Sequence, residues 1–465
     1  MSQTAFSTLK LHPDLLHNLT SLDYRLMTPI QAESLPHILA GKDVIAQGKT
    51  GSGKTAAFGL GLLNKLDVQA LEVQSLVLCP TRELADQVTR EIRRLARTIP
   101  NIKILTLCGG VSIRPQKDSL RYGAHIIVGT PGRIEDHLNR ETLSLDRVNT
   151  VVLDEADRML DMGFKDAINA IVDQTPRKRQ TLLLSATFPD QIKSISKRIM
   201  NNPVMVQVES THDSDSIEQH FYKVDSLEQR MSAVRLLLQQ HRPESTVIFC
   251  NTKIETTDLA EDLVNHGFSA LALNGDLEQR DRDQTLVRFA NKSTSILVAT
   301  DVAARGLDID SLDAVINYHI AHDPEIHVHR IGRTGRAGSK GIACSLFSDK
   351  EELKMTMLGD YLEQKIEGEP LPPQSVLEAP AIKPKMATLQ IGGGKKQKVR
   401  PGDILGALTG ENGIAGKQVG KIHIFDNWAY VAVSRDVVKV ALKKLTDGKL
   451  KGRTFRVRMM WDWPT

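Results

Sequence analysis

The sequence predicts two doubly wound α/β domains in tandem, followed by a small α+β domain. Three observations carry that reading. Short β-rich runs alternate with helical periodicity across residues 1–208 and again across 217–368, the pattern of parallel sheets with helices on both faces. Only the first series places a glycine-rich loop between an apolar strand and an apolar helix. Residues 386–465 change both order and charge, reading β-α-β-β-α-β. With residue 385 they carry a net +10, in a chain whose overall net is +4 and whose first 384 residues therefore total −6.

A length of 465 residues suits about three domains. At 41% hydrophobic and 25% charged the composition is ordinary globular, so packed cores rather than disorder are expected. No run of 18 apolar residues occurs, and the first residues lack the apolar core of an export signal; both point to a cytoplasmic protein. Cys79, Cys108, Cys250 and Cys344 lie far apart and form no C-x-x-C pair, so they read as buried reduced thiols. The basic tail on an acidic body points to a polyanion, with nucleic acid the obvious one.

In chain order, strands are expected at 43–46, 75–79, 102–107, 125–128, 150–153 and 181–184. An amphipathic helix follows at 83–98, whose Arg90, Arg93, Arg94 and Arg97 read as a solvated face. Residues 209–216 are polar and aperiodic, a linker. Strands of the second series are expected at 219–224, 246–250, 269–274, 295–299, 314–318 and 341–346. Residues 369–385 hold Pro370, Pro372, Pro373, Pro380 and Pro384 and read as a stiffer linker. In the tail, strands fit 388–391, 419–425, 428–433 and 453–460, with helices at 401–408 and 436–445. That order is the split βαβ of an RNA-recognition-motif (RRM) domain.

The chemistry starts at A-Q-G-K-T-G-S-G-K-T, residues 46–55. Gly48, Lys49, Thr50, Gly51, Ser52 and Gly53 supply the backbone N–H groups of a phosphate cradle. Lys54 reaches the β/γ-phosphates, and Thr55 offers its hydroxyl to Mg²⁺. This is a nucleoside triphosphate site. An apolar strand ending in Asp154-Glu155-Ala156-Asp157 delivers carboxylates to the sheet edge where such ligands bind. Asp154 is suited to hold Mg²⁺, and Glu155 to polarise the attacking water.

With D-E-A-D at 154–157 after G-S-G-K-T, the chain resembles the DEAD-box RNA helicases over about residues 1–350. The resemblance implies two RecA-like domains and an RNA-stimulated ATPase using ATP and Mg²⁺. Thr28-Pro29-Ile30-Gln31 resembles the adenine-reading segment, with Gln31 as reader and Phe6 as the aromatic that stacks on the base. RNA-backbone contacts are implied at Pro80, Thr81, Arg82, Gly110, Thr130, Gly132 and Arg133. In the second domain they are implied at Asn251, Gln279, Arg282, Thr300, Arg305 and Gly306. Ser185 and Thr187, with Asp157 and His329, match segments that couple hydrolysis to unwinding, and Asp308 matches the ribose ligand. Arg333 and Arg336 are suited to act as arginine fingers on the γ-phosphate. They lie in a different domain from Lys54, so the complete site is expected only when the two domains close. One departure is Asp23-Tyr24, where the family usually has Gly-Tyr; it alters that turn and leaves Gln31 in place. His319, His322, His327 and His329 cluster, but no Cys or paired carboxylate completes a metal set.

The tail is expected to choose the RNA. Trp428 and Tyr430 are spaced to stack bases from one sheet face, though the leading basic-Gly pair and the final aromatic of such a strand are missing. Basic residues offer a second route: Lys395, Lys396, Lys398 and Arg400 in one loop, and Lys449, Lys451, Arg453, Arg456 and Arg458 near the end. Segments such as Arg400-Pro401-Gly402-Asp403 make the whole chain similar to the DbpA subfamily of bacterial DEAD-box proteins. That similarity implies a hairpin of 23S ribosomal RNA as target, a role in large-subunit assembly, and action as a monomer. Unwinding of short RNA duplexes and ATP-gated clamping of RNA use the same motifs, and the residues leave both open.

Overall fold

Runs too short and too apolar to stand alone become strands only by pairing, and here they do so in three sheets. The computed structural model describes residues 4–48, 51–208, 217–304, 312–335 and 340–460. They fall into two compact units, the first ending at 208 and the second holding the remainder. The linker expected at 209–216 lies outside the described residues.

In the first unit the strands are β1 (Val44–Gln47), β2 (Ser75–Leu78), β3 (Ile104–Leu107), β4 (Ile126–Gly129), β5 (Thr150–Leu153), β6 (Gln180–Ser185) and β7 (Val204–Gln207). They form one parallel sheet in the order β3-β4-β2-β5-β6-β1-β7. β2, β4, β5 and β6 are buried along their whole length, as strands covered on both faces must be. Two apolar clusters flank the sheet, one around Phe58, Leu60, Val88 and Ile92, the other around Ile134, Met159, Ile168 and Ile195. The helix Arg82–Leu95 shows how sequence sets one layer. Thr81 caps it by accepting from Leu84 N at 3.3 Å, and Leu84, Ala85, Val88, Ile92 and Leu95 turn one stripe inward. Arg90, Arg93 and Arg94 stay outside, where Arg93 donates to Ile104 O, and Arg97 just beyond the helix donates to Ser21 Oγ. β7 was not expected from the sequence: as an edge strand it buries only Val206 fully, so it lacks a continuous apolar run.

The second unit holds β8 (Ile217–Lys223), β9 (Thr246–Cys250), β10 (Ala270–Leu273), β11 (Ile296–Thr300), β12 (Ala314–Asn317) and β13 (Gly341–Phe347), parallel in the order β10-β11-β9-β12-β13-β8. Arg230 and Glu351 pair inside it at 2.7 Å, both nearly inaccessible. The proline-rich segment is a strap laid on this domain rather than a free spacer. Glu369 bridges Tyr222, Leu371 and Ala381 pack on the core, Gln239 donates to Ala379 O, and Lys385 pairs with Glu244.

The tail contributes β14 (Met386–Ile391), β15 (Val419–Ile424), β16 (Ala429–Ser434) and β17 (Val457–Met460), antiparallel in the order β15-β16-β14-β17. Leu389, Ile391, Val431 and Val433 pack under the helices Pro401–Thr409 and Val438–Asp447. The expected fold class therefore holds: two doubly wound parallel-sheet domains and a small α+β domain. Alternation sends Thr388, Gln390, Tyr430 and Ala432 to the opposite sheet face, and that face is buried too.

Candidate active site and nucleic-acid interface

In the first unit the predicted nucleotide and RNA segments, apart from Phe6 and residues 28–31, which precede β1, follow the C-terminal ends of strands, the edge where open α/β sheets bind ligands. The strand order then divides the edge. Pro80 and Thr81 follow β2, Gly109 and Gly110 follow β3, and Thr130 follows β4. The phosphate loop follows β1, Asp154 follows β5, and Ser185 ends β6. RNA-type segments thus occupy one half of the sheet and nucleotide-type segments the other. The halves meet between β2 and β5, where Asp154 N donates to Leu78 O at 2.9 Å.

The phosphate loop leaves β1 at Gly48, whose N–H donates to Ser185 O at 3.0 Å. Gly51 and Gly53 take φ of +83° and +94°, the left-handed region that favours glycine. At Gly53 a Cβ would also stand 2.4 Å from Gln31 Nε2. Lys54 is 8% exposed and donates to Gly48 O, so its ammonium sits folded across the loop. Burial lowers its pKa while Asp154, Glu155 and Asp157 pull the other way. Thr55, half-buried, stands one residue on in the helix Lys54–Lys65. Lys49 and Thr50 lie outside the described residues.

The predicted adenine segment is wired into this loop. Gln31, 2% exposed, donates from Nε2 to Gly53 O at 3.0 Å and accepts from Thr28 N at 2.9 Å, while Thr28 Oγ1 donates to Ser52 O at 2.7 Å. Asp23 takes φ +60°, so the aspartate adopts the backbone that glycine adopts more readily, and Gln31 keeps its place. Phe6 departs from expectation. It is 2% exposed, packs edge-on against Tyr24 at 6.0 Å between centroids, and belongs to the core rather than to an open stacking face.

The carboxylates are buried together. Asp154 is 3% exposed, and burial, reinforced by the neighbouring charge of Glu155, pushes its pKa up to about 7. Glu155 sits at φ +51°, and its Oε2 is 2.7 Å from Arg158 Nη1. Asp157 ties the two predicted coupling segments: one oxygen accepts from Ala186 N at 3.1 Å, and from Thr187 N and Oγ1 at 3.0 Å each. Ser52 Oγ and Ser185 Oγ are buried with no hydrogen-bond partner among the described residues. Mg²⁺ fits this set. A carboxyl pushed up by burial and a like charge gains from a divalent cation. Mg²⁺ is an ion that one or two carboxylates plus substrate phosphates can hold.

On the RNA half, Arg82 has Nε and Nη1 buried without hydrogen-bond partners among the described residues, donors poised for an anion. Thr81 and Thr130 are each 9% exposed at helix starts, and a Cβ at Gly132 would meet open space. Gly110 takes φ +70°. Arg133 is occupied, donating to Gln116 Oε1 at 3.0 Å and to Val111 O at 2.9 Å, so it braces the loop after Gly110.

In the second unit Asn251 is exposed after β9, and Thr300 Oγ1 accepts from Ala303 N at 3.3 Å. Gln279 and Arg282 open the helix Gln279–Ala290; Gln279 donates to Asp283 Oδ1 and Arg282 to Ala303 O, each at 2.7 Å. His329 is half-buried in the helix Pro324–Ile331, and Arg333 just beyond is 8% exposed. Arg305, Gly306, Asp308 and Arg336 lie outside the described residues. Sequence reasoning gave no separate role to Arg330. Its fork grips both oxygens of Asp301 at 2.7 Å, and it stands 5.2 Å over the Phe249 ring. Arg158 was also missed; its position three residues after Glu155 on a helix was the available signal.

The tail separates the two routes left open by sequence. Tyr430 is 0% exposed and donates no surface to a base; its hydroxyl accepts from Gln390 Nε2 at 2.9 Å. Trp428 is half-buried beneath Arg280, 5.1 Å from its ring centroid. The expectation that this pair stacks RNA is corrected, because the second parallel-sheet domain covers their face. Lys395, Lys396, Arg400, Lys449, Lys451 and Arg453 are all exposed. Lys451 reaches Asp403, beside Arg400, at 3.4 Å, so the two basic loops adjoin.

Family models match along the chain: DEAD/DEAH box helicase over residues 28–195, helicase conserved C-terminal domain over 223–338, and DbpA RNA binding domain over 388–459. The ATP-dependent RNA helicase DbpA of Escherichia coli (strain K12) is 55% identical over 458 residues, covering 98% of this chain and 100% of that one. The chain belongs to the DbpA subfamily of DEAD-box RNA helicases. As a DEAD-box helicase it is an RNA-dependent ATPase that uses ATP and binds RNA. Two further DEAD-box proteins match a smaller share of it. The helicase CshA of Bacillus cereus (strain ATCC 10987 / NRS 248) is 45% identical over 364 residues, 78% of this chain and 69% of that protein. The structure of S. cerevisiae Dbp5 bound to RNA and ADP BeF3 aligns with a TM-score of 0.72 at 30% identity, covering 79% of this chain and 95% of that one.

Proposed function

We propose that this DEAD-box helicase opens short RNA duplexes as a cytoplasmic monomer, directed by its basic tail to a hairpin of 23S ribosomal RNA during assembly of the large ribosomal subunit. The observation that carries the reading is the divided sheet edge of the first unit, with nucleotide-type and RNA-type segments on adjoining strands joined at β2 and β5. ATP would be held by the loop 48–55, with Gln31 on the base side, and Arg333 and Arg336 would bring positive charge to the γ-phosphate. Thr55 and Asp154 would hold Mg²⁺, whose chemistry is neutralisation of phosphate charge. Glu155 orients the attacking water and takes up its proton. Asp157 conveys the state of that site to Ser185–Thr187. Arg82, Thr81 and Thr130 in the first unit, and Gln279, Arg282 and Asn251 in the second, take the RNA backbone.

For the tail, the adjoining basic loops at 395–400 and 449–453 are the better candidates for the hairpin, since phosphate contacts need exposed cations and the aromatic face is covered. The test is ATPase stimulation by a panel of 23S fragments, paired with strand displacement of a short duplex beside the best of them. Preferential stimulation by one hairpin-bearing fragment, with ATP-dependent release of the strand, is expected. Equal stimulation by all fragments would overturn the address. Stimulation without release would leave an ATP-gated clamp.

A further inference from the structure

The sheet face of the tail is closed by the helicase core itself. Thr388 and Tyr430 are 0% exposed, Ala432 1% and Gln390 7%. Asn291, which follows the helix Gln279–Ala290, donates from Nδ2 to Thr388 Oγ1 at 3.1 Å, and Ser293 Oγ lies 2.7 Å from the same hydroxyl. His423 Nε2 lies 3.1 Å from Asn291 Oδ1. At the other end of the helix, the Arg280 guanidinium stands over the Trp428 ring. The Trp428 Nε1 is buried without a hydrogen-bond partner among the described residues, so the ring is held by its face and not by its N–H. Tyr430, pushed up to about 12 by burial, feels the charges of both Arg280 and Asp283.

The same helical turn carries the core's own predicted RNA contacts. Gln279 and Asp283 are one turn apart and bonded at 2.7 Å, and Arg280 sits between them in sequence. The tail therefore touches Arg280, the chain neighbour of Gln279, and Tyr430 lies within the electrostatic reach of Asp283, the residue Gln279 bonds. We propose that the docked face sets the core's RNA affinity by this contact, with Trp428, Arg280 and Asp283 as positioning residues for Gln279. The inference rests on reading Gln279 as an RNA contact. It assigns the aromatic pair an inward role, from tail to core.

The experiment uses the full chain with single-stranded poly(U), a probe that offers no hairpin to the tail, and reads kcat and the apparent KM for RNA in the ATPase assay. Arg280→Ala and Trp428→Ala should each raise that KM about three- to tenfold, with kcat within about twofold, the size expected of one partly exposed cation–π contact. The double variant should be no worse than either single, and Trp428→Phe should recover most of the loss. In a Gln279→Ala background, Trp428→Ala should add nothing. Additive effects, an unchanged KM, or a lowered KM in Trp428→Ala would overturn the proposal while leaving Gln279 as a contact. An unchanged KM in Gln279→Ala alone would overturn the underlying reading, and the proposal with it.

Discussion

Replacing Glu155 with glutamine separates binding from turnover in this site. The amide keeps the volume of the carboxylate and can still accept from Arg158, now 2.7 Å away, so the left-handed turn at Glu155 should survive. What it loses is the ability to take a proton from water, a general-base contribution of about 10²–10⁴ in kcat, or roughly 3–5 kcal/mol. The phosphate ligands remain, since Lys54 and Thr55 sit on a different segment. A second effect follows from Asp154. The charge of Glu155 helps to raise the Asp154 pKa, so its removal lets Asp154 ionise more readily. Mg²⁺-nucleotide should then bind as tightly as in the wild type or more tightly, most visibly below neutral pH. The assay is RNA-stimulated phosphate release at saturating RNA, with binding of a fluorescent ATP analogue measured in parallel. Turnover within tenfold of wild type would refute the role assigned to Glu155. Loss of nucleotide binding together with turnover would show that the Arg158 pair, and not the water, is what the carboxylate serves.

Gly53→Ala should abolish ATP binding, because a Cβ there meets Gln31 Nε2 at 2.4 Å and the residue must keep φ +94°; equilibrium dialysis with labelled ATP reads it directly. Affinity for Mg²⁺-ATP should weaken by up to about tenfold per pH unit below 7: Asp154 is raised from 3.8 to about 7, so an acidic solution makes the cation compete with a proton. Titrations at two pH values on either side of 7 check the sign. Glu351→Gln should destabilise the second unit by about 3–5 kcal/mol, since it leaves Arg230 buried without its counter-charge. Although burial works against its charge, hydrogen bonds from His319 and Arg230 hold Glu351 down at about 2, below its ordinary 4.5. The stabilisation is thus present above pH 4.5 and lost as pH falls toward 2. Hydrogen exchange in the helix Leu227–His241 follows both effects locally, without requiring a two-state transition.

The legible parts of this chain are those in which local sequence and local geometry coincide. The phosphate loop needs glycine at fixed places, and the acidic strand end needs only to be a strand, so both were read from residues alone. β7 escaped because an edge strand has one neighbour and little burial to write into its sequence. Phe6 and Arg133 matched family positions, but what each touches depends on segments far along the chain: Tyr24 for one, Gln116 and Val111 for the other. The tail is the instructive case. Spacing put Trp428 and Tyr430 on one sheet face, and periodicity carries no information about what lies opposite a face. Only Asn291, Ser293 and Arg280, more than a hundred residues earlier, reveal it.

At Asp157, three donors from Ala186 and Thr187 converge on a single carboxylate oxygen. Bonds spread over several acceptors can lengthen one at a time as a loop drifts. Bonds sharing one acceptor atom stretch together and break together. The loop after β6 is therefore either seated or released, with little room between, and it leaves the sheet at Ser185, whose carbonyl accepts from Gly48 N of the phosphate loop. A ligand-dependent event at the phosphate loop would reach the rest of the sheet edge as a step, not a slope.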